Sequence, residues 1–250
     1  MRSSIVFREQ APPAARSPVV LALDTDDLDQ ALDWAELAGP AVGMVKVGLE
    51  LFCAQGAAAV RALADEGHRV MLDLKLHDIP ATVARAVAAA AELEAELLTV
   101  HALGGRRMLQ AAVAAAEGRT ALAAVSVLTS HSPAEVREVG LEGAGHDAAE
   151  RLARLALAAG CPALVCSPRE AARLRALAGP GVALVCPGVR PTGRRAAGDD
   201  QARVATPAEA VAAGADWLVV GRPITRAADP AAAAAAVRDE ALAARAVPGA

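Results

Sequence analysis

The sequence predicts an α/β protein, a (β/α)8 TIM barrel built as a single domain, and three observations predict it. Short apolar runs alternate with longer Ala/Leu/Glu/Arg stretches of helical character, eight of each. The short runs are apolar throughout, as expected of parallel strands covered on both faces. The length, 250 residues, is the usual size of one closed barrel. A doubly wound open sheet is the structural alternative. No Gly-x-Gly-x-x-Gly follows the first apolar run, so its dinucleotide-binding version has no support.

Residues 19–23 form the first expected strand and residues 28–38 the first helix. The second pair is 43–47 and 51–66. The third is 70–74 and 80–94, with Pro80 suited to the first helical turn. The fourth is 97–100 and 105–116, and the fifth is 121–127 and 147–159. Then come 163–166 with 169–178, 182–186 with 207–213, and 217–220 with 230–244. Strict alternation of this kind implies right-handed β-helix-β crossovers. No Pro/Ser-rich linker interrupts the series. Residues 1–17 read as a loosely ordered N-terminal arm and 18–250 as the barrel catalytic domain.

Composition narrows the class of function. Hydrophobic residues make up 54% of the chain, enough for a large core. Net charge is −4, aromatic residues are 2%, and there is no Tyr, which argues against a nucleic-acid surface. The N-terminal segment lacks the apolar stretch of a signal peptide, and no apolar segment is long enough for a membrane span. Cys53, Cys161, Cys166 and Cys186 are scattered without a Cys-x-x-Cys and read as small core residues in a reducing compartment. A cytoplasmic enzyme is expected.

The chemistry concentrates in Asp73-Leu-Lys75-Leu-His77-Asp78-Ile79-Pro80. Residues two apart in a strand point the same way, so Asp73 and Lys75 share a face. A lone Asp-x-Lys at a strand end is ordinarily a structural ion pair. Here the other strands end in ionisable or polar residues too: Asp24 after the first, Lys46 in the second, His101 in the fourth, Thr129-Ser130-His131 after the fifth, Arg190 after the seventh and Gly221-Arg222 after the eighth. Barrel enzymes place their active sites at that face. Asp24, Lys46, Asp73, Lys75 and Asp78 come from three consecutive strands and form an expected line of alternating charge. Carboxylates on both sides hold a lysine as ammonium, suited to delivering a proton to a developing carbanion and unsuited to a Schiff base.

The opposite side of the mouth reads as a phosphate grip. Glycine lets backbone N–H groups approach an anion, and Arg190 and Arg222 can fork onto its oxygens. The polar stretch from Pro187 to Ala205 exceeds the roughly 12–15 residues usual for a structureless connection and reads as a lid, with Gln201 available to a ligand. His101 reads equally well as a structural hydrogen-bonding residue or as part of the site. His68 and His146 read as surface residues and His131 as loop. No zinc-ligand spacing is present. Magnesium is disfavoured because the interleaved lysines already neutralise Asp24, Asp73 and Asp78.

These motifs together resemble the orotidine 5′-phosphate decarboxylase family. The resemblance runs in order through Leu-Ala-Leu-Asp24, Val-Lys46-Val-Gly, Asp73-x-Lys75-x-x-Asp78-Ile-Pro, Leu-Thr129-Ser, Pro-Gly-Val-Arg190-Pro, Gly-Asp-Asp-Gln201 and Val-Val-Gly221-Arg222-Pro. It implies release of CO2 from orotidine 5′-monophosphate to give uridine 5′-monophosphate, with no cofactor. By position, Lys75 would protonate C6 of the pyrimidine and Asp73 would face the departing carboxylate. Lys46 would hold the network and touch the ribose, and Asp24 would bind ribose hydroxyls. Thr129, with Ser130 beside it, would meet the pyrimidine. Arg190, Gln201, Gly221 and Arg222 would hold the phosphate and close the lid. Asp78 and Thr82 would complete the neighbouring subunit's site, which implies a homodimer. The alternatives are a magnesium-dependent phosphosugar barrel enzyme, such as a hexulose-phosphate synthase or keto-gulonate-phosphate decarboxylase, and a non-catalytic barrel that binds a phosphate ligand.

Overall fold

Eight parallel strands close into a barrel in the computed structural model, which describes residues 16–191 and 205–246. The strands pair in chain order: β1 (Val19–Ala22), β2 (Met44–Val47), β3 (Val70–Leu76), β4 (Leu97–His101), β5 (Ala121–Val125), β6 (Ala163–Val165), β7 (Ala183–Cys186) and β8 (Trp217–Val220), with β8 returning to β1. The expected (β/α)8 barrel is therefore the fold.

Alternation along the strands divides the core in two. Val20, Ala22, Met44, Met71, Leu97, Ala123, Val125, Ala163, Val165, Ala183, Val185, Trp217 and Val219 form one buried cluster inside the barrel. The intervening positions, such as Leu21, Val45, Leu72, Leu98 and Leu184, join the helices in a second, larger cluster. Small alanines on four strands leave room for Met44, Met71 and Trp217, so the interior fills without a pore. Trp217 is fully buried, and Arg69 lies 5.1 Å from its ring centroid in a cation–π contact.

The main helices are α1 (Leu28–Ala38), α2 (Leu49–Gln55), α3 (Ala57–Asp65), α4 (Pro80–Ala91), α5 (Gly105–Ala116), α6 (Pro133–Glu138), α7 (Gly145–Ala159), α8 (Pro168–Ala178), α9 (Pro207–Ala212), α10 (Arg222–Thr225) and α11 (Pro230–Ala246). Ala31, Ala35 and Ala38 on α1 are buried, as are Ala148, Ala149, Ala153 and Ala156 on α7. Alanine at these positions lets a helix lie close to the sheet.

The single helix expected over 51–66 is two, because Gly56 adopts φ 61° between them. Two short helices were not expected. α6 starts in a full capping box, in which Ser132 and Glu135 satisfy each other's backbone N–H groups. α10 is one turn directly after Gly221. Cys161, Cys166 and Cys186 are buried, but Cys53 is exposed on α2, which turns only Leu51 fully into the core. That corrects the reading of all four cysteines as core residues.

Arg16 is exposed, while Ser17 is buried and its hydroxyl donates to the Ala41 carbonyl at 2.5 Å. The rest of the expected arm, residues 1–15, and the lid segment 192–204 lie outside the described residues. Among the described residues, no helix is long and apolar enough to cross a membrane.

Candidate active site

The inward-facing positions of β1 to β4 change character at the C-terminal end of the barrel. Ala22, Met44, Met71 and Leu97 give way, two residues further along each chain segment, to Asp24, Lys46, Asp73 and Thr99. The same alternation that builds the apolar interior thus sets polar groups on its rim. Register makes them neighbours, since Ala22 pairs with Lys46 and Lys46 with Met71.

The result is a row of alternating charge. Lys46 Nζ lies 3.1 Å from Asp24 Oδ1 and 3.6 Å from Asp73 Oδ2. Lys75 Nζ donates to both Asp73 oxygens at 2.9 Å. Lys46 and Asp73 are buried, Lys75 is partly exposed, and Asp24 is exposed at the mouth. Burial by itself would raise the pKa of Asp73. The nearby Lys46 and Lys75 ammonium groups, with hydrogen bonds from Lys75 and Thr99, outweigh it and hold this carboxyl below its ordinary value. Asp73 is the shared anion of the row.

Lys75 does not continue the strand regularly. Its φ is +49°, and the β3–β4 pairing shifts between Leu72 and Leu76. A left-handed lysine costs on the order of 1–3 kcal/mol and persists only where its surroundings enforce it. Even so, the Lys75 ammonium lies on the Asp73 side, as alternation places residues two apart, and is bonded to both carboxylate oxygens. The expectation that Asp73 and Lys75 share a face holds in the structure, and the bulge at Lys75 is the part that spacing alone does not reveal.

Two glycines make room for the row. A Cβ on Gly48 would sit 2.6 Å from Lys46 Nζ, and one on Gly221 would sit 3.3 Å from Asp24 Oδ2 and 3.2 Å from Ala22 Cβ. Gly221 therefore has a steric reason to be glycine beside any contact with a ligand.

Asp24, Lys46, Asp73 and Lys75 line one wall of a cavity of about 280 Å3. Thr129, Ser130, Gly188, Arg190, Gly221 and Arg222 line it too, with Met71, Val125, Val165 and Val219 among its apolar lining. The anionic and cationic expectations thus converge on one space. A backbone bridge from Val189 to Ala205, with Arg190 N–H donating to the Ala205 carbonyl at 2.9 Å, pins the two ends of the expected lid together. Gln201 falls outside the described residues.

Asp78 and Thr82 are not in this cavity. Asp78 is exposed just beyond β3, where its carboxylate accepts the Ile79 N–H at 2.6 Å. Thr82 is half-buried on α4. His101 is also absent from the cavity lining. Its Nδ1 accepts the Leu103 N–H at 3.3 Å, and its ring stacks on His77 at 5.5 Å. Burial, helped by the charges of His77, Lys75 and His131, lowers its pKa to about 4, so it is neutral at pH 7. It is a structural residue that accepts a backbone hydrogen bond. Among the described residues, no group of three or more His, Cys, Asp or Glu side chains is placed to hold a metal ion.

One residue at the site was not anticipated. Thr99 on β4 is fully buried, and its hydroxyl donates to Asp73 Oδ1 at 2.9 Å while accepting the Lys75 N–H at 2.8 Å. The signal was present in Leu97-Leu-Thr99-Val-His101, where the one hydroxyl falls on the inward face.

Comparison with known proteins places the chain in a family. The Orotidine 5′-phosphate decarboxylase / HUMPS family model covers residues 17–237. The chain belongs to this family. It is 55% identical over 225 residues to the orotidine 5′-phosphate decarboxylase of Thermobifida fusca, spanning 90% of this chain and 95% of that one. It is 56% identical over 219 residues to the enzyme of that name from Anaeromyxobacter sp. strain K, spanning 88% and 96%. The crystal structure of orotidine 5′-phosphate decarboxylase from Lactobacillus acidophilus superposes with a TM-score of 0.79 at 36% identity, covering 90% of this chain and 99% of that one. Similarity therefore extends over nearly the whole decarboxylase barrel.

Proposed function

We propose that the chain decarboxylates orotidine 5′-monophosphate to uridine 5′-monophosphate and CO2 as a cofactor-independent carboxy-lyase of pyrimidine biosynthesis. The observation that carries the reading is the Lys75 ammonium fixed 2.9 Å from both oxygens of buried Asp73, in the cavity that Arg190 and Arg222 enter from the other side. Loss of CO2 leaves an electron pair on C6 with little internal delocalisation. An ammonium already in place stabilises that charge without reorganisation and then supplies the proton. In this assignment Asp73 faces the departing carboxylate and Lys46 fixes the row and reaches the ribose. Asp24 takes ribose hydroxyls, and Thr129 meets the pyrimidine. Arg190, Gly221, Arg222 and, from the lid, Gln201 hold the phosphate. Binding at the remote phosphate supplies energy that is expressed at the reacting end.

The magnesium-dependent alternative fits the site less well. Lys46 Nζ lies between the carboxylates of Asp24 and Asp73, where a cation shared by them would have to sit. The purified chain is expected to bleach the ultraviolet absorbance of orotidine 5′-monophosphate at full rate in excess chelator. Loss of that rate on chelation, with recovery on adding magnesium, would transfer the chain to the alternative.

A homodimer with shared sites extends the proposal. Asp78 is exposed outside the cavity of its own chain and is followed by Ile79, an exposed large apolar residue, both at the start of the helix that carries Thr82. This suits a segment that completes a partner's site. Lys75→Ala and Asp78→Asn subunits are each expected to be impaired alone. Mixed under subunit exchange, they regain activity, because one site of each hybrid carries neither substitution. No recovery despite demonstrated exchange would refute shared sites. The buried free thiols at Cys161, Cys166 and Cys186 suit a cytoplasmic location.

A further inference from the structure

Asp73 and Lys75 are bound to each other, but something must hold both. Lys75 sits at φ +49°, a left-handed conformation that is costly for a residue with a Cβ. Thr99 on the neighbouring strand touches both members of the pair: its Oγ1 accepts the Lys75 backbone N–H at 2.8 Å and donates to Asp73 Oδ1 at 2.9 Å. A hydroxyl has one proton and two lone pairs, so both bonds form together. The donor direction is fixed, since a carboxylate can only accept. Thr99 is fully buried and faces the barrel interior, so solvent does not replace either bond when it is lost.

We propose that Thr99 is a positioning residue that clamps the Lys75 backbone in its left-handed turn and fixes the Asp73 carboxylate that aims the Lys75 ammonium. The inference rests on the decarboxylase reading of the site and adds a residue to it. Thr99 does not line the cavity, so it acts on the reaction through Lys75 and Asp73 and not through substrate.

The clamp predicts a specific kinetic pattern. Ground-state contacts to phosphate, ribose and base come from other residues, so losing the clamp lowers kcat and leaves KM nearly unchanged. Misplacing a reacting group by about 1 Å costs about 10²-fold in rate. The test measures orotidine 5′-monophosphate turnover in the full-length wild type, Thr99→Val and Thr99→Ser, with thermal unfolding of each and a crystal structure of Thr99→Val. Valine keeps the branched shape without the hydroxyl, and serine keeps the hydroxyl. The expected result is a fall in kcat of about 10²-fold in Thr99→Val with KM within about threefold, and recovery of most of that loss in Thr99→Ser. The Thr99→Val crystal is expected to show Lys75 out of its positive φ or its ammonium parted from Asp73. An unchanged kcat in a folded Thr99→Val, a loss confined to KM, or no rescue by serine would overturn the proposal. Wild type that does not release CO2 would instead remove the decarboxylase reading. In that case the crystal alone decides the clamp, which falls if Lys75 and Asp73 keep their geometry without the hydroxyl.

Discussion

Lys75→Ala is expected to abolish CO2 release while leaving product-nucleotide binding largely intact. Two contributions vanish with the ammonium. A positioned general acid is worth about 10²–10⁴-fold, and a preorganised electrostatic donor about 10²–10³-fold. The combined fall in kcat is therefore on the order of 10⁴-fold or more. Binding of uridine 5′-monophosphate survives because the groups proposed for phosphate, ribose and base are elsewhere: Arg190 and Arg222 across the cavity, Asp24 and Lys46 on other strands, and Thr129 beyond β5. Stability is nearly unaffected, since the Lys75 side chain is about a third exposed (32%) and Asp73 keeps Lys46 at 3.6 Å and the Thr99 hydroxyl at 2.9 Å. Turnover and nucleotide titration on the same preparation check this. Turnover within tenfold of wild type would refute the role given to Lys75.

Asp73→Asn is expected to impair both turnover and stability. The amide has nearly the same shape but no charge, so the two ammonium groups it separated lose their shared anion. Lys46 is buried and, among the described residues, keeps only Asp24, at 3.1 Å, as an ionic partner. Breaking a buried pair costs about 3–5 kcal/mol, and the remaining Asp24 contact places this case near about 3 kcal/mol. The pH dependence has a definite sign. Asp73 is held below its ordinary value of 3.8, so its ionised form stabilises the fold above that pH, and the contribution is lost as pH falls through the lower folded value. The stability gap between wild type and Asp73→Asn is thus expected to be full at pH 7 and to narrow in the acid range below 3.8. Denaturant unfolding at a series of pH values measures it. A gap that is constant with pH would show that the carboxylate charge is not what stabilises the site.

The sequence carried the barrel in its crudest features. Apolar runs such as Val-Val-Leu-Ala and Trp-Leu-Val-Val have no polar face to show solvent, so each must be a strand covered on both sides. The charged rim was legible for the same reason: Asp24, Lys46, Asp73 and Lys75 fall in or just after otherwise apolar runs, never in their first two residues. The rest depended on geometry that composition and spacing do not encode. Gly56 breaks an otherwise continuous run of helical character, because the backbone there adopts a positive φ. Lys75 meets Asp73 as alternation expects, but the register shift and positive φ at Lys75 leave no sign in that alternation. Thr99 passes for an ordinary strand residue until the β3–β4 pairing puts it beside Lys75. His101 ends its strand as a catalytic residue would, yet its ring turns to the backbone of Leu103.

The central claim is that the charge row stands assembled and aimed at the reacting carbon. A crystal structure of the chain with uridine 5′-monophosphate bound tests it most directly. The account predicts Lys75 Nζ about 3–3.5 Å from C6 of the pyrimidine, still bonded to Asp73, with the phosphate on Arg190 and Arg222. A bound nucleotide whose C6 lies beyond reach of Lys75, or a Lys75 that has left Asp73 for solvent, would contradict it.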